Sequence, residues 1–94
     1  MSTSTVTVPK LGGARQSAAA LVANLPEHCT ALRIDLGQTT SAAQGYIDEL
    51  VYQTAQMREL DVVFVGASER AAQYAMESAG LRGVSEFVSV LTRE

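Results

Sequence analysis

The sequence predicts a single α/β domain built on a mostly parallel sheet. Residues 62–65 (VVFV) form a continuous apolar run between Asp61 and Gly66, which is typical of a central parallel strand covered on both faces. Residues 31–36 (ALRIDL) alternate in polarity, as a strand does. Stretches with apolar residues at helical spacing separate the strand candidates. We therefore predict four strands and three helices in the order β-α-β-α-β-α-β, with right-handed crossovers.

The first half of the chain supplies two strands and one helix. Residues 1–5 are small and polar, so we expect a flexible N-terminus followed by one domain over residues 6–94. Val6 and Val8 alternate with threonines and indicate a short strand. Residues 14–25 carry apolar side chains on one helical face, and Pro26 ends that helix because the ring disfavours helical dihedrals in the preceding residue.

The second half supplies two more helices and two strands. Ser41 and Gln44 have the spacing of a capping box and predict a helix start, with an apolar stripe running on to Met57. Ser68 is a candidate N-cap of the third helix, and Gly80 is placed for a left-handed residue at its end. Residues 84–91 form a last strand with mixed faces, which predicts an edge position.

Composition narrows the classes of function. The 94 residues suffice for one domain, and 47% apolar and 18% charged residues are ordinary for a globular protein. The net charge is −3, and the seven Lys and Arg residues are scattered, which disfavours nucleic-acid binding. Cys29 is the one cysteine, no signal-peptide pattern opens the chain, and no apolar run suits a membrane span. We expect a cytoplasmic protein with no membrane contact.

Three segments carry a resemblance to a known family: the strand and helix start IDLGQTTSAAQGYIDELV, the strand VVFVG and the ending AAQYAMESAGLRGVSEFVSV. Together they resemble a STAS domain, the family named after sulfate transporters and anti-sigma factor antagonists. Residues 32–37, 62–66 and 75–90 match the corresponding family pieces in order. The preceding GGARQSAAALVANL, with Arg15 and Ala18, is similar to STAS-like variants of unknown function, which are bacterial-type proteins.

The resemblance implies a non-enzymatic regulatory module that docks on a protein partner in a signalling switch. The partner would be a histidine-kinase-type ATPase or another regulator. The contact surface would be the 38–41 loop and the helix that follows it, with these residues as candidates: Gln38, Thr39, Thr40, Ser41, Gln44 and Asp48.

In anti-sigma factor antagonists the partner kinase phosphorylates a serine at the start of this helix. Counting forward from Asp35 puts Gly45 at that position, and counting back from Gly66 puts Ala42 there, so neither has a hydroxyl. Ser41 and Thr40 are the candidate phosphorylation sites, followed by Thr39. Helix capping is the better-supported role for the Ser41 hydroxyl.

Other patterns that suggest chemistry have simpler interpretations. Asp35 is better read as an acceptor for backbone N–H groups than as a ligand contact. Asp48 and Glu49 point about 100° apart on a helix, so we expect a solvated first turn instead of an acid–base pair. His28 and Cys29 have no third partner for a metal or catalytic site. Gly12-Gly13 lacks the phosphate-binding motifs. We therefore predict no catalytic residue, no metal and no cofactor.

Two alternatives remain open. The chain could be a structural subunit of a homo-oligomer or larger complex that uses the edge strand at residues 84–91. It could also be a small-ligand-binding domain, with a pocket at the carboxyl ends of the strands lined by Gly13, Thr39 and Ser68.

Overall fold

The computed structural model describes residues 2–12, 15–23, 25, 29–57 and 60–93. Predictions made on Gly13, Ala14, Pro26 and His28 lie outside the described residues. The described residues form ten elements in chain order: β1 (Ser2–Thr7), β2 (Leu11–Gly12), α1 (Arg15–Ala23), β3 (Cys29–Asp35), β4 (Ser41–Ala42), α2 (Gln44–Ala55), β5 (Asp61–Ala67), α3 (Glu69–Arg82), a 3-10 turn (Ser85–Phe87) and β6 (Val88–Thr92).

The main sheet has four parallel strands in the order β1-β3-β5-β6. The three helices α1, α2 and α3 form the crossovers between them, which confirms the predicted α/β class and element order. β6 lies at one edge, as predicted. The two-residue strands β2 and β4 pair in parallel as a separate small sheet, which the sequence did not predict.

The helices cover one face of the sheet. Strand order follows chain order, so right-handed crossovers carry every helix to the same side. α2 packs between α1 and α3. The core between the layers consists mainly of alternate strand residues and the inner face of α2: Leu32, Ile34, Val62, Phe64, Tyr46, Ile47, Leu50 and Val51, all of them buried.

The second face of the sheet carries no helix from the described part of the chain. Val62 and Phe64 are buried beneath the helices, whereas Val63 and Val65 on the opposite face are only half-buried. The prediction that β5 is covered on both faces is therefore wrong for the described residues. The continuous apolar run reflects valines on both faces, and only one of these faces is covered.

Several element ends differ from the sequence prediction. β1 begins at Ser2, because residues 2–7 pair with β3. α3 continues through Gly80 to Arg82, and Gly83 after it takes the left-handed conformation (φ 72°), so the prediction for Gly80 is wrong. The Val84 N–H donates to the Ala79 carbonyl at 2.9 Å and closes the helix end. β6 starts only at Val88, after a 3-10 turn. No helix in the described ranges is long and apolar enough to span a membrane.

Candidate functional site

The predicted contact loop joins β3 to α2 at the carboxyl edge of the sheet. It leaves β3 through a turn in which the Gly37 N–H donates to Asp35 Oδ1 at 2.7 Å. Asp35 thus accepts a backbone N–H group at the strand end, as predicted. The end of β5 lies directly against this loop: a Cβ on Gly66 (φ 70°) would come within 3.0 Å of the Gly37 Cα. Glycine at 66 allows the end of β5 and the turn after β3 to approach each other.

Two of the predicted contact residues are anchored to the segment after β1. The Thr39 hydroxyl donates to the carbonyls of Val8 at 3.2 Å and Pro9 at 3.0 Å, and the residue is only 7% exposed. The exposed Gln38 donates from Nε2 to the Val8 carbonyl at 3.3 Å. Thr39 therefore holds the loop in place from within, and its hydroxyl is already used.

Thr40 is the exposed threonine of the loop. Its N–H and its hydroxyl both donate to the Lys10 carbonyl, at 2.9 and 3.2 Å. Ser41, whose backbone alone is described, then pairs with Leu11 as part of β4. Of the candidate phosphorylation sites, Thr40 is the one whose described side chain lies at the surface.

The start of α2 differs from the prediction. The N-cap is Ala43 (φ −71°, ψ 150°), its side chain offers no capping hydrogen bond, and Gln44 is the first helical residue. The capping box of Ser41 and Gln44 is therefore wrong. Its physical cause is the small sheet: Ser41 and Ala42 are extended as β4, so the chain turns into the helix two residues later. Ser68, in contrast, caps α3 as predicted and accepts the Ala71 N–H at 3.2 Å.

Arg93, just after β6, ties the loop to the rest of the carboxyl edge. Its Nη2 donates to the carbonyls of Leu36 at 2.7 Å and Thr39 at 3.0 Å, and its Nε donates to the Gly66 carbonyl at 3.0 Å. The Arg93 N–H also donates to the Ala67 carbonyl at 2.7 Å. Sequence reasoning missed this residue. The available signal was a cation directly after the last parallel strand, at the edge where strand and loop carbonyls collect.

Asp48 lies at the centre of an ionic cluster that links all three helices. Its Oδ2 accepts from Arg15 Nη1 of α1 at 2.8 Å and from Arg82 Nη2 of α3 at 2.9 Å. Its Oδ1 accepts the Ser78 hydroxyl at 2.5 Å. The Ser78 hydrogen bond, followed by those from the two arginines, lowers the pKa of Asp48 to about 2. The carboxylate is therefore charged and fully engaged near neutral pH.

Further contacts extend this cluster across α2. Arg15 also pairs with Glu49 at 3.4 Å, and Arg82 lies over the Tyr52 ring at 4.7 Å from its centroid. The side chains of Asp48 and Glu49 are 17% and 14% exposed, so the expectation that they form a solvated first turn is wrong. They lie in the second turn of α2, where α1 and α3 supply the cations Arg15 and Arg82. The prediction considered the residues of α2 alone and so did not include these cations.

The Arg15 guanidinium also lies against Gly45, one of the two positions where the resemblance expects a switching serine. A Cβ at Gly45 would come within 3.4 Å of Arg15 Nε. Beside it is an open cleft of about 280 Å³, lined in part by Arg15, Gln44, Asp48 and Arg82. A larger side chain at position 45 would thus press on the cation that holds Asp48.

The predicted contact residues form two groups. The first group donates hydrogen bonds to the segment after β1 and consists of Gln38, Thr39 and Thr40. The second group, Gln44 and Asp48, lines the open cleft beside Gly45. Of the residues predicted to line a ligand pocket, Thr39 donates to backbone carbonyls and Ser68 caps α3, so both hydroxyls already have partners. Within the described ranges, no three side chains of His, Cys, Asp or Glu are grouped as metal ligands would be.

We compared the chain with known protein families, proteins and structures. No protein-family model, no curated protein and no solved structure matches the chain.

Proposed function

We propose that this chain is a non-enzymatic protein-interaction module that docks on a protein partner through the 38–41 loop and the beginning of α2. The partner that the STAS resemblance suggests is a histidine-kinase-type ATPase or a similar regulator in a signalling switch. The observation that supports the proposal most is the pre-ordered loop, which hydrogen bonds hold against two other segments, the one after β1 and Arg93 after β6.

A pre-ordered loop lowers the cost of binding. Ordering a mobile side chain on association costs about 0.5–1.5 kcal/mol, and a loop that is already anchored avoids part of this cost. Thr39 and Arg93 supply the anchors, which leaves the polar side chains of Gln38, Thr40 and Gln44 at the surface. Exposed polar groups on an ordered backbone suit the rim of a regulatory interface.

The ionic cluster supports the same surface from the helical side. Asp48 accepts three hydrogen bonds from α1 and α3, one each from Arg15, Ser78 and Arg82, so α2 is held between its neighbours. In this proposal Gln44 contacts the partner directly, whereas Asp48 keeps the helix that presents it in position.

Thr40 is the residue at which such an interaction would be switched. Its hydroxyl is exposed beside Lys10, and phosphorylation would add up to about two negative charges to the contact surface. We expect Thr40→Glu to weaken partner binding and Thr40→Ser to leave it intact, because serine retains the hydroxyl without the charge.

The test is site-specific photo-crosslinking in an extract of the source cells. A photoreactive side chain at position 44 should crosslink to a distinct protein, and the same group at position 56 should not. Gln56 is a matched control, since it is an exposed glutamine at the opposite end of α2. Equal crosslinking from both positions would contradict the proposal.

Charge substitutions at the same two positions give a second readout. Gln44→Glu should reduce recovery of the crosslinked protein in a pull-down, and Gln56→Glu should not. A negative charge in the first turn of a helix is favourable by about 0.3–1 kcal/mol, so loss of binding by Gln44→Glu would not reflect loss of the fold. Unchanged recovery with Gln44→Glu would count against this surface.

A second candidate function is a subunit of an oligomer that pairs through β6. The observation that favours it is the edge position of β6, one side of which has no neighbouring strand in the described sheet. Strand addition at β6 would protect the β6 amides from hydrogen exchange on association and leave those of α2 unchanged.

A further inference from the structure

The uncovered side of the main sheet presents an ordered surface that the proposed docking loop does not use. All-parallel sheets occur almost only with both faces covered. Here one face remains free of any described helix, and we call its central part the open sheet face. It consists of alternate residues of four strands: Thr5, Thr7, Arg33, Asp35, Val63, Val65, Ser89 and Leu91.

Strand register arranges the open sheet face in two parallel rows. The first row runs across the sheet through Thr5, Arg33, Val63 and Ser89. The second row lies two residues further along each strand and runs through Thr7, Asp35, Val65 and Leu91. Ile34 and Phe64 pair between the two rows, with their side chains buried on the other face. The first row thus carries the positive charge of Arg33 and the second row the negative charge of Asp35, both on β3. On the adjacent strand β5, each of these residues has a valine beside it.

Neither of the two charged residues forms an ion pair with a described residue. Arg33 is exposed and forms no ion pair with a described residue. Asp35 accepts the Gly37 N–H through Oδ1, and no described residue donates to its Oδ2. A cation and an anion therefore stand unpaired two residues apart on one strand, so their side chains point to the same face.

We propose that the open sheet face binds a second copy of this chain about a two-fold axis that crosses the strands at the level of Ile34 and Phe64. Rotation about that axis exchanges the two rows. Arg33 then faces the partner's Asp35, and Asp35 faces the partner's Arg33. In the same way Val63 faces the partner's Val65, and Val65 faces the partner's Val63. Each favourable contact occurs twice, as an isologous interface requires.

This reciprocal match identifies a second copy as the occupant. A different protein would need its own cation and anion at this spacing, beside apolar residues at the valine positions. The chain itself carries that complement, and sheets that pack face to face lie about 10 Å apart, within reach of an arginine and a carboxylate from opposite sides. The interface leaves both edge strands unpaired, so it differs from association through β6. It also does not depend on the proposed docking function.

The size of the open sheet face sets the expected strength. Four strands about 4.8 Å apart and some five residues long span roughly 300 Å² per copy in projection. That is small beside the roughly 1,200–2,000 Å² in total that stable complexes bury. We therefore expect a weak dimer with a dissociation constant on the order of 100 μM.

Charge exchange provides the test, with sedimentation equilibrium as the readout. R33D makes the face acidic at both positions, and D35R makes it basic at both. Each variant alone should associate at least about tenfold more weakly than the wild-type protein, because like charges meet twice. An equimolar mixture of R33D and D35R should form a heterodimer, since opposite charges then meet at both sites.

The control is R70D, which makes the same charge change at an exposed arginine on α3 and should associate like the wild-type protein. D35R loses the hydrogen bond from Gly37, so circular dichroism must show that it is folded. Otherwise D35N replaces it, since its amide oxygen can still accept that bond while the negative charge is lost, and D35N alone should also associate more weakly. The R33D result is decisive by itself. A wild-type protein that stays monomeric at 1 mM, an R33D variant that dimerises normally, or protection of β6 amides alone would each overturn the proposal.

Discussion

Replacing Asp48 by Asn tests whether the ionic cluster is the main polar link between the three helices. Asn keeps the shape of the carboxylate but removes the charge that Arg15 and Arg82 neutralise. The two guanidinium groups would then face a weak acceptor, and the bond from the Ser78 hydroxyl would lose its ionic character.

The magnitude follows from the pKa of Asp48. Folding lowers that pKa from 3.8 to about 2, and a shift of this size corresponds to about 2 kcal/mol of stability. The folded pKa lies below the unfolded value, so this stabilisation is present above about pH 4 and is lost as the pH falls towards 2. Asp48→Asn should therefore lower the free energy of unfolding by about 2 kcal/mol at pH 7 and by little at pH 2.

Urea denaturation of both proteins between pH 2 and pH 7, followed by circular dichroism, measures this difference. Asp61→Asn is the control. Asp61 is exposed at the start of β5 and forms no ion pair with a described residue, so its replacement should change the free energy of unfolding by less than about 0.5 kcal/mol. A cost of Asp48→Asn that is the same at pH 2 and pH 7 would refute the electrostatic explanation.

Three further substitutions test other parts of the fold. Arg93→Ala should lower the free energy of unfolding by about 0.5–1.5 kcal/mol and speed hydrogen exchange at the Thr39 amide, because the loop loses its hydrogen bonds to Arg93. Arg93→Lys should restore slow exchange only in part, and unchanged exchange in the Ala variant would show that Arg93 does not anchor the loop. Tyr46→Phe should leave the melting temperature unchanged or raise it, since the buried Tyr46 hydroxyl has no hydrogen-bond partner among the described residues. A clearly lower melting temperature would indicate that the hydroxyl has a hydrogen-bond partner. Gly83→Ala should destabilise by about 1 kcal/mol because φ is 72°. Gly80→Ala, inside α3 where a Cβ would make only an ordinary contact with Ser85 Oγ at 3.8 Å, should stabilise by a similar amount, and equal effects would contradict the assigned helix end.

The fold was predictable because its signals are local. Alternation at residues 31–36 and the apolar run at 62–65 identify strands without knowledge of their neighbours, and the Ser68 cap depends on residues three apart. The same local signals gave a wrong prediction where contact with a distant segment determines the local structure. Ser41 has capping spacing, but pairing with Leu11, thirty residues earlier, keeps it extended.

The candidate site was less predictable because its key contacts are long-range. Asp48 is surrounded by groups thirty or more residues away, so its own helix gave no sign of its partners. Arg93 acts on carbonyls of Leu36 and Thr39, more than fifty residues earlier. Asp48 was predicted to contact the partner and Arg93 was not predicted at all. Only the packed structure shows that both residues hold other segments of the domain together.

The two proposed surfaces are compatible because they occupy different parts of the domain. The open sheet face lies on the side away from the helices, whereas Gln44 lies on α2 and Thr40 at the carboxyl edge. A dimer through the open sheet face would thus leave both docking surfaces free and present two of them at once. Two linked sites bind a dimeric partner more tightly than one site, without any new contact. If both proposals hold, R33D should weaken binding to a dimeric partner while leaving the affinity of each single site unchanged, and this separates loss of dimerisation from loss of docking.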